Sequence, residues 1–251
     1  VVNVPLAWRP LLKPSLSDQI KKGLKLIGGR FYPQWYEACY WERCFAETYA
    51  YVKAHRFSLI IAHGLITVPF AVRLKKLWGV PLLFDAHEYY PLQYSERWYW
   101  KELEFPYRDY LARTYLPKVD NMITVCDAIA SKYRSEYGVK PVVVRSIPLC
   151  QRASLRKTDP GRIRMVHHGN AARARKLEYM IYLMRYLDRR FSLDLMLCNF
   201  DPVYYARLKR IAASCAPGRV RFRDIVPFDK IVPTLQEYDL GISLLWPYSF
   251  N

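Results

Sequence analysis

The sequence predicts an α/β protein of two units in series, each a parallel sheet with helices on both faces. Three observations predict it. Short apolar runs alternate with stretches of helical length from Phe57 to Val144. The same alternation restarts at Ile163, after residues 146–160, which lose all periodicity and hold Pro148 and Pro160. With 251 residues and 52% hydrophobic content, the chain has core material enough for two domains of roughly 100–150 residues each. The expected division is an N-terminal domain over 1–147, a linker over 148–160 and a C-terminal domain over 161–251.

Residues 14–56 read as helical. Ser15, Ser17 and Asp18 offer caps for a helix that runs to Leu26 and stops at Gly28-Gly29. After Pro33, apolar and aromatic side chains recur at helical spacing (Tyr40, Cys44, Phe45, Tyr49, Val52). With Lys21, Lys22 and Lys25 this region suits an anionic membrane surface, although a buried helix face explains the same pattern. Phe57–Ala62 is an apolar strand that runs into His63-Gly64. A helix over about 68–78 ends at Gly79-Val80-Pro81, and Leu82–Phe84 is a second strand ending in Asp85-Ala86-His87-Glu88. Beyond an aromatic, charged segment come a helix over 107–115, a strand over 121–125, a helix from Cys126-Asp127 to Tyr137 and a strand over 142–144. In the second half the expected order is strand 163–166, helix 176–188, strand 193–197, helix 202–214, strand 220–222, short helix 228–237 and strand 240–245.

The formal net charge is +17, with an excess of +8 in residues 1–150 and +9 in residues 151–251, so it is not confined to a tail. Such a chain meets nucleic acid, anionic lipid or phosphorylated small molecules. Six cysteines lie scattered without a Cys-x-x-Cys pair, which argues against a metal knuckle or disulfide framework and for free thiols in a reducing cytoplasm. No apolar run approaches the roughly 20 residues of a membrane span, and Val1–Leu12 lacks the features of a signal peptide. The first residue is not Met, and the last strand runs almost to Asn251. Both ends therefore read as truncated.

In open parallel sheets, ligands gather at the carboxyl ends of the strands. That rule selects His63, Asp85, His87, Glu88, Asp127, Gly169, Asn170 and the cations that follow it. The stretch Gly161–Glu178 reads as a strand, a His167-His168-Gly169-Asn170 turn, and a helix opening on Arg173, Arg175 and Lys176. Cations at a helix start oppose the macrodipole, a conflict that a bound polyanion between them would resolve; a solvated basic face is the plainer alternative. His167 and His168, being consecutive, point to opposite sides. No Gly-x-Ser-x-Gly elbow, Walker loop or Gly-x-Gly-x-x-Gly is present, and His87-Glu88 lacks the second helical histidine of a zinc protease.

Four segments carry a family resemblance: Leu59–His63, Gly79–Pro91 (with Asp85-Ala-His87-Glu88), Val119–Asp127 and Val166–Arg175. Tyr238–Ile242 fits as well. In their order and spacing the chain resembles a glycosyltransferase of the GT-B fold, in the retaining family 4 group, over roughly 57–251. The resemblance implies two Rossmann-like halves, an acceptor-side N-terminal domain and a C-terminal domain that holds a nucleotide-sugar donor. It implies transfer to a glycan or lipid-linked acceptor with retention, and no metal or cofactor. Basic side chains, Arg175 first and then Lys176 and Arg173, would stabilise the leaving diphosphate. Gly169 would allow close backbone approach beside Asn170, and His87 would contact the transferred sugar. His63, Gly64, Asp85, Glu88 and Asp127 would line the acceptor side.

Three departures stand out. No Gly-rich loop follows a first strand, Ser146 stands where the family carries Asn near the linker, and the acidic motif of the C-terminal domain would fall beyond Asn251. The expectation is a cytoplasmic, membrane-peripheral enzyme represented by a fragment. Two other readings compete with it. One is a non-catalytic sugar-nucleotide-binding remnant. The other is a basic nucleic-acid-binding α/β protein, disfavoured because its aromatics are not interleaved with Lys and Arg.

Overall fold

The structure, a computed structural model, describes residues 16–41, 49, 52–148, 150–151 and 157–244. It forms two compact units, one ending at Ile147 and one beginning at Pro148. Each has its own core.

In the first unit, β1 (Ile60–His63), β2 (Leu82–Ala86), β3 (Asn121–Thr124) and β4 (Val142–Val143) form a parallel sheet in that order. Strand β2 buries Leu82, Phe84 and Ala86 on one side, the period of two that a half-covered strand requires. Around it pack α1 (Leu16–Gly28), α2 (Gln34–Trp41), α3 (Val68–Trp78), α4 (Phe105–Tyr115) and α5 (Asp127–Tyr137). Helix α3 has Pro69 in its first turn and ends where Gly79 turns left-handed (φ 67°), its N–H reaching the Lys75 carbonyl at 2.8 Å. The expected aromatic segment contains a π-helical turn, Trp100–Glu104, that feeds α4; Trp100 anchors it through Nε1 to the Pro91 carbonyl at 2.8 Å.

Helix α1 carries an apolar face on its outside. Leu16, Ile20, Leu24 and Ile27 are 49–74% exposed, at the i, i+4, i+8, i+11 spacing of one helical stripe. Lys22, one of the three lysines of this region, is ion-paired with Glu104.

In the second unit, β5 (Ile163–Asn170), β6 (Phe191–Cys198), β7 (Val220–Arg223) and β8 (Leu240–Gly241) form a parallel sheet in the order β7-β6-β5-β8. Met165, Leu193, Leu195 and Leu197 bury one face beneath α6 (Glu178–Leu183) and α7 (Pro202–Cys215). Asp201 caps α7 by accepting the Tyr204 N–H at 2.9 Å. A short helix α8 (Ile231–Leu235) follows a 3₁₀ turn over Phe228–Lys230, in place of one helix over 228–237.

Two expectations here are corrected. The His167–Asn170 segment is not a turn: β5 continues through it, paired with β6 as far as Asn170 opposite Cys198. The cations do not open a helix either. Arg173–Arg175 form a single 3₁₀ turn, Lys176 follows with φ 51°, and α6 begins only at Glu178. A left-handed Lys176 cannot continue a right-handed helix, so the basic run precedes the helix and does not contest its dipole. Expectations placed on Val1–Leu12, Ser15, Cys44, Phe45, the middle of the linker (152–156) and residues 245–251 lie outside the described residues.

Candidate functional site

Each unit gathers expected residues at the carboxyl ends of its strands. In the first, parallel pairing sets His63 of β1 opposite Asp85 of β2, and His87 follows two residues past Asp85. The result is a three-residue cluster. Asp85 Oδ2 is hydrogen-bonded to His87 Nε2 at 3.0 Å and lies 3.0 Å from His63 Nδ1. The two rings sit 5.9 Å apart, half or more exposed, while the carboxylate between them is largely buried.

The loops bearing this cluster are tied down from below. Gly64, at φ 80°, donates its N–H to the Asp85 carbonyl at 3.3 Å. Thr67 Oγ1 donates toward the His63 and Gly64 carbonyls at 3.0 and 2.9 Å. The buried Tyr133 hydroxyl, from α5, accepts the Tyr90 N–H and donates to the Glu88 carbonyl, both at 3.1 Å. Tyr133 falls on the buried face of α5 with Ile129 and Ala130. Its spacing therefore signals core, and its hydroxyl's task is invisible in the sequence. Tyr90 is pushed up to about 12 by burial and by the neighbouring Glu88 and Asp85 charges. Glu88 Oε2 is buried without a hydrogen-bond partner among the described residues. Asp127 does not join this cluster; it opens α5 as an exposed residue paired with Arg145 at 2.8 Å.

In the second unit the geometry centres on Gly169. Its φ of 150° belongs to glycine, and a Cβ there would sit 2.9 Å from Arg175 Nη1 and 3.7 Å from His167 Nε2. Arg175 therefore folds back over the end of β5, in the space left by the missing side chain. His167 is buried and holds the Ile242 carbonyl through Nδ1 at 2.8 Å, while His168 faces outward, as consecutive strand positions demand. The Nδ1 bond fixes the neutral tautomer with Nε2 as acceptor, and Nε2 has no partner among the described residues. Burial chiefly, with His168 and Arg175 adding to it, holds the His167 pKa below the ordinary value. Asn170 ends β5 exposed, and Lys176 is exposed beyond the 3₁₀ turn. Arg173 is engaged: its guanidinium grips Asp201 at 2.6 and 3.1 Å, joining the basic turn to the cap of α7. Of the three cations, Arg175 alone lies over the glycine at the strand end.

Two parallel sheets flanked by helices, with polar clusters at their strand ends, define the architecture of a GT-B glycosyltransferase. Residues 21–150 match the model of the glycosyl transferase 4-like domain, and the chain belongs to that family. No curated protein matches the sequence closely. Among solved structures, HepE of Anabaena in complex with UDP superposes with a TM-score of 0.57 at 13% identity, over 80% of this chain and 56% of that one. TarM, of S. aureus, gives 0.58 at 12% identity over 79% of this chain and 39% of its own. A glycosyltransferase from Rickettsia africae gives 0.55 at 12%, over 80% and 55%. The chain thus spans about half the length of these structures or less, and the likeness is one of fold.

Proposed function

We propose that this chain is the core of a transferase that moves a sugar from a nucleotide-sugar donor to a glycan or lipid-linked acceptor, with retention and without a metal in turnover. The observation that carries the proposal is Arg175 folded over Gly169 at the end of β5. As the bond between sugar and diphosphate breaks, negative charge builds on the leaving oxygen, and a guanidinium held in place beforehand stabilises it without reorganising. Arg175 is the first residue in that role, Lys176 a second, exposed cation, and Asn170 a polar neighbour. Arg173 positions the turn through Asp201. In the N-terminal unit, His87 contacts the transferred sugar and His63, Gly64, Asp85 and Glu88 line the acceptor side. UDP and UDP-glucose complexes of HepE support a nucleotide-sugar donor.

The exposed stripe of α1 supports peripheral contact with an anionic membrane, which would present a lipid-linked acceptor. No described helix is long and apolar enough to cross a membrane.

Thermal stabilisation by nucleoside diphosphates tests the donor reading. A ligand at a hundredfold excess over its Kd adds about 2.7 kcal/mol. Arg175→Ala is expected to weaken binding at least tenfold, in line with losing one charge-assisted contact of about 1.5–3 kcal/mol. Absence of stabilisation by any nucleoside diphosphate, or an Arg175→Ala variant that binds as well as the parent, would overturn it.

A further inference from the structure

The His63–Asp85–His87 cluster, placed above on the acceptor side, also has the makings of a metal site, which the proposed transfer does not call on. Two imidazole nitrogens converge on one carboxylate oxygen, each at 3.0 Å, and all three ligand atoms lie within 4.8 Å of one another. Around a tetrahedral ion with bonds of about 2.0–2.1 Å, ligand atoms sit roughly 3.3 Å apart. Both nitrogen–oxygen edges are already close to that value. The nitrogen–nitrogen edge is at most 4.8 Å, and both rings are exposed enough to swing.

The electrostatics point the same way. In a chain of net charge +17, Asp85 has no lysine or arginine partner among the described residues; its ion pairs are with the two histidines. Beside it lies Glu88, with a buried oxygen lacking a hydrogen-bond partner. Two carboxylates thus lie in this corner with two imidazoles at its mouth.

We propose that His63 Nδ1, Asp85 Oδ2 and His87 Nε2 form a binding site for a borderline divalent transition-metal ion, Zn²⁺ foremost, with a fourth position left to water. Two nitrogens and one carboxylate are the donor set that imidazole-preferring ions accept, whereas Mg²⁺ and Ca²⁺ favour all-oxygen sites. On binding, each ligating nitrogen must be unprotonated, so any proton it carries moves to the ring's other nitrogen, and the ion replaces the His87–Asp85 hydrogen bond and the close His63–Asp85 contact. The backbone ties on Gly64 and Glu88 hold the loops while this happens. A filled site also occupies His87, so metal and sugar exclude each other there. That last clause rests on the proposed function; the binding itself rests on the three side chains alone.

Competition for Zn²⁺ between the whole chain and a chromophoric chelator tests the site, with Co²⁺ as a spectroscopic stand-in. The expected result is one equivalent held, with a Co²⁺ spectrum of tetrahedral nitrogen and oxygen ligands. His63→Ala and Asp85→Asn are each expected to weaken it at least about tenfold, and His168→Ala, which removes another exposed histidine, to leave it unchanged. Circular dichroism of each variant separates a lost ligand from a lost fold, and His63→Gln serves if His63→Ala unfolds. No equivalent held, equal affinity in the folded His63 and Asp85 variants, or a thiolate charge-transfer band that places the ion on cysteine would overturn the proposal. Failure of zinc binding would not touch the donor reading, which the diphosphate experiment tests separately.

Discussion

At the scale of single residues, two backbone and protonation details have measurable consequences. Lys176 is the sole non-glycine with positive φ among the described residues, at 51°. A left-handed conformation costs an ordinary L-residue about 1–2 kcal/mol, partly offset by glycine's greater freedom when unfolded. Lys176→Gly is therefore expected to raise the denaturation midpoint slightly while weakening nucleoside diphosphate binding, a split that denaturant titration and ligand titration read separately. His167 gives a pH dependence of definite sign. Its folded pKa lies below its unfolded value, chiefly through burial, so the unfolded chain binds the proton first. Its share of stability is complete above about pH 6.5 and is lost as the pH falls below that value. His167→Asn, which keeps a donor for the Ile242 carbonyl but does not titrate, is expected to flatten the fall in Tm between pH 7 and 5.

At the scale of elements, α1 carries the clearest prediction. Ile20 and Leu24 stand outside on a stripe that continues through Leu16 and Ile27. Burying such side chains gains about 1.5–3 kcal/mol each, so Ile20→Asp combined with Leu24→Asp is expected to weaken association with anionic vesicles more than tenfold. Sedimentation with vesicles checks it, and unchanged binding would remove α1 from the membrane reading. The elements themselves were mostly legible, because buried strands between glycine and proline breaks and helices of period 3.6 leave strong signals; α5 runs from Asp127 to Tyr137 as its pattern indicates. Gly161–Glu178 was legible only in part. Histidine, glycine and asparagine read as turn formers, yet the ladder with β6 carries β5 through all of them. Local propensity there yielded to pairing that only the neighbouring strand supplies. The same limit explains Arg173 and Arg175: their spacing is alike, but Asp201 claims one and the bare face of Gly169 admits the other. Partners distant in sequence decide which cation stays available.

At the scale of the whole molecule, the two cores share no residue. One centres on Phe84, Leu111 and Tyr133, the other on Leu193, Leu195 and Tyr204. Unfolding is expected in two transitions, and a nucleoside diphosphate bound at Gly169 and Arg175 is expected to move only the one belonging to the second unit. Calorimetry with and without ligand checks this; a single transition that shifts as a whole would contradict it. The series of two α/β units was visible in the sequence because βα alternation stops and restarts. The strand-end histidine cluster was visible only as separate residues, since the register that sets His63 opposite Asp85 belongs to the sheet.

That separation of cores bears on how such a chain can diversify. A crossover near residues 147–148 cuts neither hydrophobic cluster and splits neither parallel ladder. Recombination at that point can exchange one half for another lineage's and leave each hydrophobic cluster whole, so the two halves are free to acquire different histories. A substitution in the Gly169 cradle and one in the His63–His87 corner fall in different halves, so each can be inherited with its own core.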